Sequence, residues 1–165
     1  MIETAELRVY CLSKPSLDYS EINRFLNDEE VDWVRTDGTE AEELVEVSGR
    51  LCYMSFGPGK QAPRNNSGYI RNLINKGHES VLEHAVWTFL IAGVSRAFSH
   101  QLVRHRVGFS YSQLSQQYHD ESHAKFVVPD AIRRDPSLYE HWSKGIESSL
   151  ELYRNMLAST ELEDH

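Results

Sequence analysis

The sequence predicts an α+β domain in which helices pack on a small antiparallel or mixed sheet. Several segments carry apolar residues at helical spacing, and shorter segments are rich in residues that pack well in sheets. Clusters of Gly and Pro separate these segments and indicate loops. The 165 residues, of which 40% are hydrophobic and 25% charged, suit one compact domain. We therefore expect residues 1–165 to form a single domain.

The first elements are expected to be a strand and a helix. Residues 6–12 alternate loosely between apolar and polar positions, which predicts a strand. Residues 16–38 are polar and acidic and end in an Asp-Gly turn signal. Between residues 39 and 54, apolar side chains recur at helical spacing and predict a helix. Gly and Pro dominate residues 56–63, which we expect to form a loop.

A second helix and a second strand are expected in the middle of the chain. The helix covers about residues 67–76, with a capping side chain among residues 65–67 and Gly77 as its terminator. Residues 85–93 are rich in Val, Trp, Thr, Phe, Leu and Ile, which favours a strand.

The C-terminal half is expected to be mainly helical. Ser95 can cap a helix that runs to about residue 104, and residues 107–112 form a loop with a Gly inside it. Residues 126–129 indicate a short extended piece, and a long helix then covers about residues 135–159. The apolar stripe of this helix is expected to lie in the core: Leu138, Trp142, Ile146, Leu150, Tyr153 and Leu157.

Charge and cysteine content exclude several classes of protein. The formal net charge of -8 argues against a binder of nucleic acid polymers. Cys11 and Cys52 are too few for a disulfide framework or a zinc pattern, which favours a reduced, cytoplasmic compartment. The N-terminus has no long apolar run, and the longest apolar stretch, residues 85–94, is too short to span a bilayer. We therefore expect no membrane partner and no nucleic acid partner.

A segment without carboxylates is the first clue to function. Residues 84–119 contain no Asp or Glu, although the chain has 25 of them, and this acid-free segment holds Arg96, Arg104 and Arg106. A positive segment in an acidic protein implies a bound anion. Arginine suits phosphates because its guanidinium donates two parallel charged hydrogen bonds. The histidines of the segment have no metal-ligand spacing and no accompanying carboxylate, so we expect no metal site.

Helical spacing places several of these polar residues together. Arg96, His100 and Arg104 follow each other at intervals of four, and Gln101 is close to the same face. The alternative is that the arginines form solvated or intramolecular ion pairs, and the residues alone leave both interpretations open. The apolar positions of this helix are expected to pack into the core: Phe98, Leu102 and Val103.

Three ordered motifs resemble the flavin-dependent thymidylate synthases, the ThyX family. Residues 104–106, Arg-His-Arg, are followed by Ser-Tyr-Ser-Gln-Leu-Ser-Gln at residues 110–116, which resembles the family signature. Residues 77–84 resemble its Gly-His-x-Ser-x-x-Glu-His segment, and residues 93–96 resemble the approach to the signature helix. The similarity runs from near the N-terminus to about residue 129, and it implies the ThyX-like fold and a catalytic domain.

The resemblance implies a role for particular residues of this chain. Arg104 is the candidate catalytic residue, and His78 is placed near the folate side of the flavin. FAD would be contacted by His78, Ser80, Arg104, His105, Arg106 and Gln113. The pyrimidine nucleotide would be held by Arg96, Gln101, Arg104, Gln113, Leu114, Ser115, Gln116 and Gln117. Because neighbouring subunits supply different parts of this set in the family, the active site would lie at an interface of a homotetramer.

The resemblance also implies the reaction. The family reduces FAD with NADPH and transfers a one-carbon unit from methylenetetrahydrofolate to uracil C5, which converts dUMP to dTMP. Ordinary thymidylate synthases instead use a cysteine nucleophile, and neither Cys11 nor Cys52 is near the acid-free segment. An arginine beside the uracil carbonyls can stabilise negative charge as C5 becomes nucleophilic, which is the role implied for Arg104.

Three departures from the family pattern lead to further expectations. The spacer between Arg106 and Ser115 has one residue more than is usual, and Gln117 stands where the family usually has Arg. Both changes favour altered substrate choice, such as use of UMP, as in the family member of the polyoxin nucleoside-antibiotic pathway. The chain also stops at His165, so we expect it to lack the family's C-terminal part. The alternative is a non-catalytic or truncated relative that binds FAD or a nucleotide without turnover.

Overall fold

The computed structural model describes residues 2–62 and 65–160, and it confirms the α+β class. Its two strands are neighbours in a two-stranded sheet. The elements are, in chain order, β1 (Arg8–Ser13), α1 (Tyr19–Asp28), α2 (Glu40–Leu51), α3 (Asn66–Asn75), a 3₁₀ helix (Glu79–His84), β2 (Thr88–Ala92), α4 (Arg96–Leu102), α5 (Asp130–Arg133) and α6 (Pro136–Thr160).

The chain divides into two compact units. One unit, called here the helix-pair unit, comprises residues 10–90. The other, called the signature unit, comprises residues 1–9 and 91–165. The expectation that residues 1–165 form a single catalytic domain stays a prediction.

In the helix-pair unit, α2 packs against α3 and against the 3₁₀ helix. The apolar core of this packing consists of Val45, Tyr69, Leu73 and Val81. Gly49 permits the close approach, because a Cβ at this position would lie 2.8 Å from the Tyr69 hydroxyl. Burial is the main reason why the pKa of the Tyr69 phenol is raised.

A buried carboxylate connects α2 to the surrounding loops. Glu46 is fully buried and accepts hydrogen bonds from Arg50 Nε at 2.8 Å and Asn66 Nδ2 at 2.9 Å. Its two oxygens also accept from Trp33 Nε1 at 3.2 Å and Thr36 Oγ1 at 2.9 Å. A buried charge is tolerated only when it is paired and hydrogen-bonded, as this one is. The network therefore holds the loop before α2 and the start of α3 in place.

Helix α1 was not predicted from the sequence. Asp18 caps it by accepting hydrogen bonds from the backbone N–H groups of Ser20 and Glu21 at 3.0 and 3.3 Å. A further hydrogen bond from the Ser20 hydroxyl, together with these two, lowers the pKa of Asp18. The signal was present: an Asp cap followed by Ile22, Phe25 and Leu26 at helical spacing. The segment was not predicted to be helical because its composition is polar and acidic.

The other predicted helix starts are confirmed. Asn65 accepts a hydrogen bond from Gly68 N at 2.7 Å at the start of α3, and Ser95 Oγ accepts from Phe98 N at 3.1 Å at the start of α4. Asp135 accepts from two backbone N–H groups at the start of α6. The predicted loop after α2 is free of helix and strand as far as Ala62, and its last residue lies outside the described part.

Two expectations about core packing are wrong. No side chain of α6 is buried, and Leu138 is 51% exposed, because α6 packs mainly against the short helix α5. Tyr153 Oη and Arg154 instead hydrogen-bond to the backbone of residues 121 and 122. Helix α4 is also unburied, and its Phe98 side chain is 47% exposed. None of the helices that the structure describes is both long and apolar enough to cross a bilayer.

We expect Gly93→Ala to destabilise the signature unit. Gly93 has a φ of 71°, and a Cβ there would overlap the carbonyl oxygen of Glu6. The matched control is Gly59→Ala, which has a similar φ of 77° but nothing within 4 Å of the added Cβ. Both variants place an alanine in the left-handed region, but only Gly93→Ala adds a clash with the backbone. Gly93→Ala should therefore lower the free energy of unfolding by about 1–3 kcal/mol more than Gly59→Ala does. Equal urea midpoints for the two variants would refute this explanation.

Candidate functional site

Arg96 connects the start of α4 to the segment that follows the helix. Its side chain belongs to the first turn of α4 and is partly buried. Both terminal nitrogens of the guanidinium donate to the carbonyl oxygen of Leu114, each at 3.0 Å. A guanidinium carries five N–H donors, so others remain for a ligand. Arg96 therefore positions the backbone of residues 104–117, called here the signature segment, directly before Ser115.

The signature segment is folded back on itself by its own hydrogen bonds. Phe109 N donates to Arg106 O at 3.2 Å, which closes a turn that contains Gly108 with a φ of 74°. Tyr111 Oη donates to His105 O at 2.9 Å, and its ring stacks on that of Phe109 with the planes 15° apart. The turn after Arg106 is thus ordered by its own hydrogen bonds.

Arg104 and Arg106 present their charges to solvent. Helix α4 ends at Leu102, so Arg104 lies in the following turn rather than on the helical face that the spacing predicted. Both side chains are exposed. Within residues 2–62 and 65–160, the ion pairs involve neither these two arginines nor Arg96. In the described part of the chain, therefore, no Asp or Glu side chain forms an ion pair with these arginines.

The remaining predicted nucleotide-binding residues are exposed. Gln101 is exposed on α4, and the backbone N–H of Gln117 donates to Ser115 Oγ at 3.3 Å. The following members of the signature segment are also exposed: Gln113, Leu114, Ser115, Gln116 and Gln117. The structure brings Arg96 together with Leu114, and Ser115 with Gln117.

His78 and Ser80 belong to the other unit. Gly77 has a φ of 69° after the end of α3, and His78 N donates to Leu73 O at 2.9 Å. Ser80 is exposed in the 3₁₀ helix Glu79–His84. The structure therefore places these two predicted flavin contacts in the helix-pair unit and the arginines in the signature unit.

Tyr53 is a residue that the sequence analysis did not assign to the site. Its ring stacks on the His78 imidazole, with the centroids 5.8 Å apart and the planes 19° apart. The phenol oxygen lies 3.5 Å from His78 Nδ1. Tyr53 lies shortly after α2 and His78 shortly after α3, so only the packing of the two helices reveals that the residues are neighbours.

One cleft of the signature unit is lined by residues outside the signature segment. It has a volume of about 460 Å³ and is lined by residues of the N-terminal strand region, the end of β2 and Lys125. The lining includes none of the predicted site residues. The side chains of Arg104 and Arg106 in the signature segment are exposed.

A family model described as thymidylate synthase complementing protein matches residues 35–164. The chain belongs to this family. Curated relatives named flavin-dependent thymidylate synthase are 41% identical in Mycobacterium marinum (strain ATCC BAA-535 / M) and 40% identical in Mycobacterium avium (strain 104) and Mycobacterium tuberculosis (strain ATCC 25618 / H37Rv). Each comparison runs over 161 residues and covers 98% of this chain and 60% of the relative. The chain thus spans about 60% of the length of the curated relatives it matches.

The region that matches the family contains the motifs on which the resemblance rests. The matched region contains the signature segment, α4 and the residues that follow α3. The resemblance to flavin-dependent thymidylate synthases is therefore confirmed. The roles of individual residues and the proximity to the polyoxin branch stay predictions.

Proposed function

We propose that this family member takes part in flavin-dependent C5-methylation of dUMP to dTMP, with FAD as cofactor and NADPH and methylenetetrahydrofolate as co-substrates. The observation that carries the proposal is the pair of exposed guanidinium groups of Arg104 and Arg106, which lack carboxylate partners in the described chain. In a protein with a net charge of -8, such a pair is suited to an anionic nucleotide. The names of the curated relatives support the same reaction.

The residues of the signature segment fit a flavin dinucleotide and a nucleotide monophosphate. Arg106 and the neighbouring His105 provide donors for the phosphates of FAD, and the hydroxyl of Ser115 and the amide of Gln116 provide neutral donors for the nucleotide phosphate. FAD, when bound, supplies the redox chemistry of the methyl transfer. Arg104 stabilises the negative charge that develops on the uracil carbonyls as C5 becomes nucleophilic.

The proposed site is shared between subunits of a homotetramer. The open surface around Arg104 supports this, because ligand sites normally bury most of the ligand and this surface alone encloses little. His78 and Ser80 would contact the flavin as well. A cytoplasmic location fits this proposal, since Cys11 and Cys52 are both exposed and free.

Flavin absorbance and product analysis test the proposal together. The 165-residue chain is incubated with FAD, NADPH, methylenetetrahydrofolate and dUMP, and nucleotides are separated by chromatography and identified by mass. We expect a yellow protein that bleaches on addition of NADPH and dUMP, and the appearance of dTMP. A yellow protein that never bleaches supports the alternative, a relative that binds the cofactor without turnover. A protein that retains no flavin contradicts both.

We also propose that the enzyme accepts UMP beside dUMP. The expected longer spacer and the expected replacement of an Arg by Gln117 motivate this proposal, and Val107 in the turn around Gly108 is 92% exposed. A longer loop leaves room for the ribose 2′-hydroxyl. With both nucleotides at equal concentration, we expect methylated products of each. Deletion of Gly108 shortens the turn by one residue, and this variant should show a larger loss of UMP turnover than of dUMP turnover. Turnover of dUMP alone by the parent chain would exclude the idea.

A further inference from the structure

We infer that Phe109 is a specificity-determining residue that stacks on the adenine of FAD and so distinguishes FAD from FMN. The inference rests on the proposed function, in which FAD binds at the signature segment. FAD consists of a flavin and an adenosine joined by a diphosphate, whereas FMN lacks the adenosine. A residue that binds only the adenine therefore changes the affinity for one of these two flavins.

Phe109 is held in a tight turn beside a cation. Its backbone N–H donates to Arg106 O at 3.2 Å, which closes a four-residue turn. Gly108 inside the turn has a φ of 74°, a conformation that glycine adopts readily. The turn keeps the Phe109 backbone next to that of Arg106, whose guanidinium the proposed function assigns to the phosphates of FAD.

A second ring fixes the orientation of Phe109. The ring of Tyr111 stacks on it, with the centroids 6.1 Å apart and the planes 15° apart. Tyr111 is partly buried, and its hydroxyl donates to His105 O at 2.9 Å, so this ring is anchored at both ends. One face of Phe109 is directed at Tyr111, and the Phe109 side chain is nevertheless 62% exposed. The opposite face is therefore the one that a ligand can reach.

An aromatic face next to a cation suits a nucleotide. Aromatic rings prefer offset, parallel partners, and a nucleobase offers such a partner without any need for matched hydrogen bonds. The proposed function assigns the uracil of dUMP to Arg104, and the flavin must lie beside that uracil to reduce it. The adenine is on the other side of the diphosphate that Arg106 holds. It is therefore the ring that remains for Phe109.

Comparison of two flavins tests the inference. The full chain is titrated with FAD and separately with FMN, and each Kd is obtained from the change in flavin fluorescence. We expect Phe109→Leu to raise the Kd for FAD about five- to thirtyfold, the effect of one lost stack between a base and a ring. The Kd for FMN should stay the same. Phe109→Tyr retains the ring and should bind FAD as the parent does.

Tyr139→Leu is the matched control. Tyr139 is an exposed aromatic residue of α6 in the same unit, and its ring also contacts another ring, that of Trp142. The change removes a similar amount of exposed aromatic surface outside the signature segment. Both Kd values should equal those of the parent.

Binding of ADP provides a direct readout of the adenine. ADP contains the adenine and the diphosphate but no flavin, and a ring stacked on the base shifts its H2 and H8 signals upfield. We expect this shift with the parent chain and with Phe109→Tyr. Phe109→Leu should abolish it. The measurement requires neither a bound flavin nor turnover.

Two results would overturn the inference. One is an equal ratio of the FAD and FMN Kd values in the parent and in Phe109→Leu, and the other is a parent chain that leaves the ADP signals unshifted. If Phe109→Leu lowers the mass of the assembly while its affinity for FAD is unchanged, the ring belongs to a subunit contact and the inference is wrong. A chain that forms no dTMP but shifts the ADP signals through Phe109 contradicts the proposed function and supports this inference.

Discussion

Replacing Arg104 with alanine is expected to reduce dTMP formation by about 100- to 1,000-fold, the usual effect of removing one donor that stabilises charge in a transition state. The side chain is exposed after the end of α4, so the change removes no core packing. Arg104→Lys should recover only part of the activity, because an ammonium group keeps the charge but not the planar fork. Initial rates with saturating FAD and dUMP measure the effect.

The control for this variant is Arg133→Ala in α5. Arg133 is also exposed, and the change alters the net charge of the protein by the same amount. Arg133→Ala should retain nearly full activity. Both variants should have the same urea midpoint of unfolding as the parent. If Arg104→Ala forms dTMP at a rate similar to that of Arg133→Ala, Arg104 is not the catalytic residue.

Replacing Glu46 with glutamine is expected to lower the free energy of unfolding by about 3 kcal/mol or more, because the substitution removes one charge of the buried Glu46–Arg50 ion pair. The substitution keeps the size of the side chain, so the effect reports charge and hydrogen bonding rather than a cavity. Urea unfolding followed by circular dichroism measures it. The same change should disturb the turn at Tyr53, which is held by Arg50.

Glu40→Gln provides the comparison within the same helix. Glu40 is exposed in the first turn of α2, where its carboxylate lies at the positive end of the helix dipole. Its loss should cost less than about 1 kcal/mol. Equal urea midpoints for the two glutamine variants would show that the buried network around Glu46 contributes no net stability.

Local signals in the sequence were sufficient for the helix ends. The side chains of Asn65, Ser95 and Asp135 each accept hydrogen bonds from backbone N–H groups close by in the chain, so a cap can be recognised without knowledge of the fold. The same chemistry at Asp18 was overlooked because the acidic residues around it suggested a loop. Secondary structure in this chain is thus mostly a local property.

Burial and pairing depended on contacts that the sequence does not show. The apolar stripe of α6 predicted a core helix, but its side chains cover only part of their surface against α5. The stacking of Tyr53 on His78 requires α2 and α3 to end side by side, and the two hydrogen bonds from Arg96 to Leu114 require residues 104–117 to fold back. Charge composition identified the acid-free segment, whereas the fold determined which of its cations hold the backbone.

The central claim is that the cations of the signature segment bind FAD and a nucleotide phosphate. A crystal structure of the chain with FAD and 5-fluoro-dUMP tests it most directly. We expect the guanidinium groups of Arg104 and Arg106 within hydrogen-bond distance of the ligands, with the uracil carbonyls next to Arg104. A structure in which these groups pair with the protein's own carboxylates, with no flavin nearby, would contradict the claim.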